Sequence, residues 1–182
     1  SVLFYRFLIS AIMMAVVCLI QKKSFRIPLK HIFAIFILSL LYAFTALFLI
    51  LSYNYIPSGI ATTIHFMYPI LVSIIMVVFF REQKSVILFL AAILSVVGVV
   101  LLCWTGGDAV QFKGIVIASL TILTYATYII GINKSEAGKI DTEILTFYIL
   151  AFGALVFLVT ALLTNSISPI GDTPSFVRLL LL

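Results

Sequence analysis

The chain has 182 residues, of which 64% are hydrophobic and 9% charged, and its 11 Lys and Arg against 6 Asp and Glu leave a net charge of +5. Soluble domains carry roughly a quarter charged residues, so water is not the main solvent of this chain. The excess cations fall in short loops between apolar runs, where they orient a membrane protein, and no basic patch is left for nucleic acid.

A helix crosses a bilayer with about 20 apolar residues. On that count, spans are expected over residues 2 to 20, 32 to 53, 58 to 80, 86 to 104, 114 to 132 and 144 to 164, with a seventh beginning near Ser175. The first carries Arg6 near one end, which either snorkels to the interface or turns inward toward an anionic group. Cys18 in the same span and Cys103 in the fourth belong to no Cys-x-x-Cys or Cys/His cluster and are expected to be buried, inert thiols.

Between Lys30 and Arg81 about fifty residues pass without an Asp, Glu, Lys or Arg. Tyr53-Asn54-Tyr55-Ile56-Pro57-Ser58-Gly59 interrupts this run with interfacial aromatics and turn formers, so a hairpin of two crossings is expected. In its first arm Ser39, Tyr42, Thr45 and Ser52 recur near the helical period. In its second, Ser58, Thr62, His65 and Pro69 share a face too polar for lipid, which should look into the bundle or a cavity. His65 is the single histidine within a span, and an ionisable group at that depth is a functional-site hypothesis by default; a neutral imidazole bonded to a neighbouring hydroxyl or carbonyl is the structural alternative. Pro69 has no N–H and clashes with the His65 carbonyl, so a kink is expected there, serving either packing or gating.

Thr121, Thr124, Tyr125 and Tyr128 form a similar stripe in the fifth span, with Thr127 beside it. Such hydroxyls bind a polar solute, link helices or return to their own carbonyls, whereas clustered tyrosines suit an amphipathic or aromatic ligand. Small residues at Ala11 and Ala15, and at Ala91, Ser95 and Gly98, are expected to let helices approach closely.

Loop charge sets the topology. One set of loops holds Lys22, Lys23, Arg26, Lys30, Arg81, Lys84, Lys134 and Lys139, and the other holds Lys113 alone, so the first set is expected on the cytoplasmic side. The first span then runs from outside to inside, which implies at least one earlier crossing, and Phe176 to Leu182 reads as the start of a further span; the chain is expected to be a fragment. Phe4-Tyr5-Arg6-Phe7-Leu8-Ile9-Ser10-Ala11 aligns with Phe147-Tyr148-Ile149-Leu150-Ala151-Phe152-Gly153-Ala154, an offset of five crossings that would invert a second copy relative to the first.

No His-Glu-x-x-His or Gly-x-Ser-x-Gly motif occurs, and the spans hold no Asp or Glu for a carboxylate dyad or proton relay. An enzyme is therefore disfavoured, and no catalytic residue, metal or cofactor is expected.

Tyr5-Arg6-Phe7 opening one span, Ile60-Ala61 through Tyr68-Pro69 in a later one, Phe80-Arg81-Glu82-Gln83 leaving it, and then Ala91 to Leu102 follow in a specific order. This order resembles the EamA group of the drug/metabolite transporter superfamily. The resemblance implies an all-α polytopic bundle of ten helices in two inverted five-helix repeats, with residues 1–104 as helices two to five of the first repeat and 114–182 as helices six, seven and the start of eight. It matches Arg6 to an arginine at the head of helix two, Pro69 to the helix-four proline and Glu82 to the acidic residue after helix four, all gating or structural positions. Flanked by Arg81 and Lys84, Glu82 is expected to pair in a loop rather than carry a proton. Tyr125 to Tyr128 falls where the family has small and aromatic residues in helix six.

The expected function is secondary transport of small neutral or zwitterionic metabolites, amino acids or drugs across the plasma membrane by alternating access. Its substrate-binding wall is expected from Tyr42, Thr45, Thr62, His65, Thr124, Tyr125 and Tyr128. The expected partners are the solute and the lipid bilayer, with a coupling ion and a homodimer compatible with this reading. The alternative is a non-transporting scaffold or assembly subunit whose polar stripes serve helix association.

Overall fold

The computed structural model describes residues 2–81, 86–105 and 110–163. Glu82 and Arg178, and with them the expected seventh span, lie outside the described residues, as do the Cys103 and Trp104 side chains. The architecture is all-α: α1 Val2–Ile20, α2 Leu29–Ser52, α3 Ser58–His65, α4 Tyr68–Phe80, α5 Val86–Thr105, α6 Phe112–Lys134 and α7 Thr142–Leu163, with a 3₁₀ turn at Glu136–Lys139 and no strand among the described residues.

Val2–Ile20, Leu29–Ser52, Ser58–Phe80, Phe112–Lys134 and Thr142–Leu163 are each long and apolar enough to cross a membrane. The 20-residue α5, which carries no charged side chain, is of the same kind. Their outward surfaces are apolar: Met13, Leu19, Phe33, Phe79 and Leu94 are all exposed. In water that surface would aggregate, whereas in hydrocarbon it is solvated.

α2 begins at Leu29, ahead of the apolar run, because Pro28 ends the preceding loop and its carbonyl accepts the His31 N–H at 2.9 Å. The third expected span differs more. It is interrupted rather than bent, α3 stopping at His65 and α4 starting at Tyr68, with Pro69 in the first turn of α4. Pro69 offers no N–H to His65 O, and the Ile70 N–H turns instead to Met67 O at 3.0 Å, so the ladder restarts two residues on.

Two compact units divide the chain, Ser1–Ala43 with Ile132–Leu182 and Phe44–Gly131. In the first, α1 and α7 lie side by side and antiparallel, as shown by Lys23 beyond the end of α1 meeting Glu143 at the start of α7 while Phe7 meets Phe157 further along. Phe7, Ala11 and Cys18 are buried on α1, and Ile144, Leu145, Ile149, Gly153, Ala154, Phe157 and Ala161 on α7. The Ser39 hydroxyl of α2 donates to Ile149 O of α7 at 2.8 Å, an interhelical bond worth on average about 0.6 kcal/mol in a membrane.

At the end of α1, Lys22 takes a left-handed conformation (φ 53°), and the N–H groups of Lys22 and Lys23 return to Leu19 O and Cys18 O, each at 3.0 Å. This paired closure satisfies the terminal carbonyls and turns Lys23 toward α7. There its ammonium lies 2.6 Å from Glu143 and 3.5 Å from Asp141, and the Tyr148 hydroxyl donates to Phe25 O at 2.8 Å. Loops expected on one side of the membrane thus meet.

In the second unit Ile56, Ile60, Ala61, Ile64 and Ala118 form the core, flanked by Leu49, Val110, Ile115 and Ile122. A Cβ at Gly114 would lie 2.7 Å from Ile56 Cγ2 and from Tyr55 Cβ, so glycine is required where α6 begins against the α2–α3 turn. The Gln111 N–H donates to Tyr55 O at 3.2 Å and the Lys113 ammonium sits 4.7 Å from the Tyr55 ring centroid. The close approach expected at Gly98 is not found among the described residues: a Cβ there would meet none of their atoms within 4 Å, and Ala91, two turns earlier in α5, is exposed. A small residue permits contact without creating it.

Candidate functional site

The polar residues expected to line one wall divide between the two units. Tyr42 belongs to the first, where its ring centroid lies 5.6 Å from that of Phe7. Thr45, Thr62, His65, Thr124, Tyr125 and Tyr128 belong to the second unit, and most of them converge.

Their centre is His65, the last residue of α3. Its Nδ1 lies 3.1 Å from Thr121 Oγ1 on α6, and Thr121 is fully buried. The Thr121 hydroxyl has a single proton, which it donates to Ala118 O at 2.5 Å. Toward His65 it can therefore only accept, so Nδ1 carries the hydrogen and, in the neutral ring, Nε2 carries the lone pair. No described residue offers Nε2 a hydrogen bond.

Two tyrosines flank this imidazole and a third extends the cluster. The Tyr125 ring centroid is 5.1 Å away at 66° and the Tyr68 centroid 5.6 Å away at 38°; Tyr68 and Tyr125 meet edge to face at 4.5 Å and 75°, and Tyr128 follows Tyr125 at 5.4 Å. Helical spacing explains the grouping, since Thr121, Tyr125 and Tyr128 lie at i, i+4 and i+7 on α6. The break after His65 lets α4 bring Tyr68 into the same cluster. All four rings are half-buried, so the cluster is neither sealed core nor open surface.

One turn along α6, Thr124 Oγ1 shares a 2.7 Å hydrogen bond with Thr45 Oγ1 of α2, and Thr45 is buried. Thr124 also reaches Leu120 O and Thr121 O at 3.1 and 3.2 Å. Thr45 and Thr124 thus pair hydroxyl to hydroxyl, and Thr124 meets Thr121 through the Thr121 backbone carbonyl rather than through the hydroxyl that faces His65.

Other expected hydroxyls are occupied locally. Thr62 donates to Ser58 O at 2.7 Å and Ser52 to Leu49 O at 2.6 Å, while Thr127 is exposed and donates to Leu123 O. The hydroxyl partner of His65 thus comes from α6 and not from the α2 stripe. Two members of the cluster, Tyr68 and Thr121, are absent from the wall expected from sequence. The i+3 spacing of Tyr68 from His65 was a legible signal, as was the place of Thr121 one turn before Tyr125.

Arranged in this way, the site can hold an apolar or aromatic body against rings and accept one hydrogen bond at Nε2, with the buried Thr121 hydroxyl orienting the imidazole. Among the described residues no group of three or more His, Cys, Asp or Glu side chains is placed to hold a metal ion.

The family model described as the EamA-like transporter family matches residues 1–104. The "Uncharacterized transporter YvbV" of Bacillus subtilis (strain 168) is 24% identical over 179 residues, covering 97% of this chain and 58% of that relative. The chain thus spans under two thirds of the length of the relative. No solved structure matches it. With the family model covering more than half of a chain built of apolar spans around a half-buried polar cluster, this multi-pass membrane protein belongs to the EamA-like transporter family.

Proposed function

We propose that the chain is the substrate-handling part of a secondary transporter of the plasma membrane that moves small neutral or zwitterionic solutes by alternating access. Residues 1–104 act as helices two to five of a first repeat and 114–182 as helices six to the start of eight of a second, inverted one. The antiparallel pairing of α1 with α7, whose sequences align at Phe4 and Phe147, supports this division. His65, Tyr125 and Tyr128 with Thr45, Thr62 and Thr124 form the binding wall, and Arg6, Pro69 and Glu82 serve structure or gating.

The observation carrying the proposal is the His65–Tyr68–Tyr125–Tyr128 cluster within the spans of a chain of this family. An all-apolar packing interface would not retain a half-buried imidazole with an open lone pair. The full-length protein, reconstituted in proteoliposomes, should give saturable flux of at least one labelled solute from a panel of amino acids and small metabolites. His65→Ala and Tyr125→Leu should each depress that flux at least tenfold while the protein remains monodisperse. Flux indistinguishable from empty liposomes across the panel would favour the scaffold reading.

A further inference from the structure

The loop between α1 and α2 carries charges that the proposed binding wall does not use. We infer that Lys22 and Arg26 hold the phosphate of an anionic phospholipid whose acyl chains lie along the outer faces of α1 and α2, with Lys30 as a further contact.

This loop is fastened on one side and open on the other. Residues 23–28 form neither helix nor turn, and exposure alternates through them: Lys23 and Phe25 are half-buried, whereas Lys22, Ser24 and Arg26 are exposed. The half-buried pair is tied to α7. Lys23 lies 2.6 Å from Glu143, the Phe25 ring meets Phe147 edge to face at 5.3 Å and 81°, and Phe25 O accepts the Tyr148 hydroxyl at 2.8 Å. Four residues span at most about 14 Å, so the long side chains of Lys22 and Arg26 reach one headgroup from a loop that is already held in place.

The carboxylates at this end are committed elsewhere. Among the described residues of this unit, Glu143 and Asp141 hold Lys23 and Glu136 holds Lys139 at 2.7 Å, while Lys22 and Arg26 make no ion pair. The Lys139 hydrogen bond and, after it, the charges of Lys30 and His31 keep the Glu136 carboxyl below its ordinary value, so the start of α2 adds its cation to the same end.

Apolar surface runs up to these charges along both helices. Ile12, Val16, Leu19 and Ile20 on α1 lie at i, i+4, i+7 and i+8, and Leu29, Phe33 and Ile37 on α2 at i, i+4 and i+8; all are exposed. Cations at the head of two apolar stripes match a phosphate joined to hydrocarbon, which a soluble anion or an apolar helix matches only in part. Arginine takes phosphate through two parallel N–H groups and lysine as a point charge. A zwitterionic headgroup brings an ammonium of its own that the loop repels, so a lipid of net negative charge is preferred.

The full-length protein in detergent is titrated with dioleoyl phosphatidylglycerol or dioleoyl phosphatidylcholine, and bound lipid is counted by native mass spectrometry. Phosphatidylglycerol is expected to bind about fivefold or more tightly than phosphatidylcholine. The double variant Lys22→Gln/Arg26→Gln should lose most of that preference with phosphatidylcholine binding unchanged, whereas the charge-matched Arg81→Gln/Lys113→Gln should keep it. A folding defect would weaken both lipids alike, and the wild-type comparison needs no variant. Equal binding of the two lipids by wild type, or a preference that survives Lys22→Gln/Arg26→Gln, overturns the assignment. Displacement of phosphatidylglycerol by millimolar inorganic phosphate would make the loop a site for a free anion and overturn it as a lipid contact.

Discussion

Gly153 of α7 lies flat against the edge of the Phe7 ring of α1: a Cβ built on it would be 2.5 Å from both Cδ1 and Cε1. The ring cannot swing aside, because Phe157 holds it at 5.1 Å and Tyr42 at 5.6 Å. Gly153→Ala is therefore expected to destabilise the protein by about 1 to 3 kcal/mol, the usual cost of overpacking. Phe7→Leu should relieve part of that loss, so that the double variant melts above the sum of the single effects. Thermal unfolding of the four proteins in one detergent reads the coupling, and strict additivity would exclude the contact.

Lys23 and Glu143 are 120 residues apart and joined at 2.6 Å. The hydrogen bond to Glu143, reinforced by Asp141, holds the Lys23 ammonium above its ordinary value of 10.5 against the opposing effect of desolvation. A raised value in the fold means stabilisation fully present below the unfolded value and lost as pH rises through the folded one. Lys23→Gln should accordingly melt below wild type across pH 6 to 9, roughly the range well under both values. The difference should close only in alkali beyond the ordinary lysine range; a gap that closes near neutrality would assign the effect to another group.

Much of this architecture is legible in sequence because bilayer thickness and hydropathy decide it locally: the spans expected at 2 to 20 and 58 to 80 begin and end where Val2–Ile20 and Ser58–Phe80 do. Pairings are harder to read. Which helix meets His65 depends on the rotation of α3 and α6 about their axes, and hydroxyl stripes on α2 and α6 look equally suitable until Thr121 is seen to be the one buried beside it. Glycine has the same ambiguity, since Gly153 and Gly98 both sit in apolar helices and, among the described residues, only Gly153 has a neighbour within 4 Å.

Pro69 keeps α3 and α4 apart. Pro69→Ala would return an N–H to the position facing His65 O and favour one continuous helix. Tyr68 would then leave the orientation from which its ring meets Tyr125 at 4.5 Å. The expected outcome is an unchanged or slightly higher melting temperature with flux reduced several-fold. Equal loss of both would mean the break serves stability and not the site.

Thr121 is the most decisive single position, because its effect on His65 is tautomeric before it is energetic. Thr121→Val keeps the shape, removes the acceptor for the Nδ1 hydrogen and leaves Ala118 O without its side-chain donor. Loss of one interhelical bond costs only about 0.6 to 1.7 kcal/mol in a membrane, so the variant should fold. Its imidazole is then free to carry the hydrogen on Nε2, and that ring nitrogen ceases to be an acceptor. Nitrogen-15 spectra of histidine-labelled protein should show the Nδ1–H form dominant in wild type and in Thr121→Ser, and a mixture of tautomers in Thr121→Val. Flux should follow the tautomer, near wild type for serine and several-fold lower for valine. If the valine protein keeps the Nδ1–H signature, the hydrogen on His65 is fixed by something other than this hydroxyl.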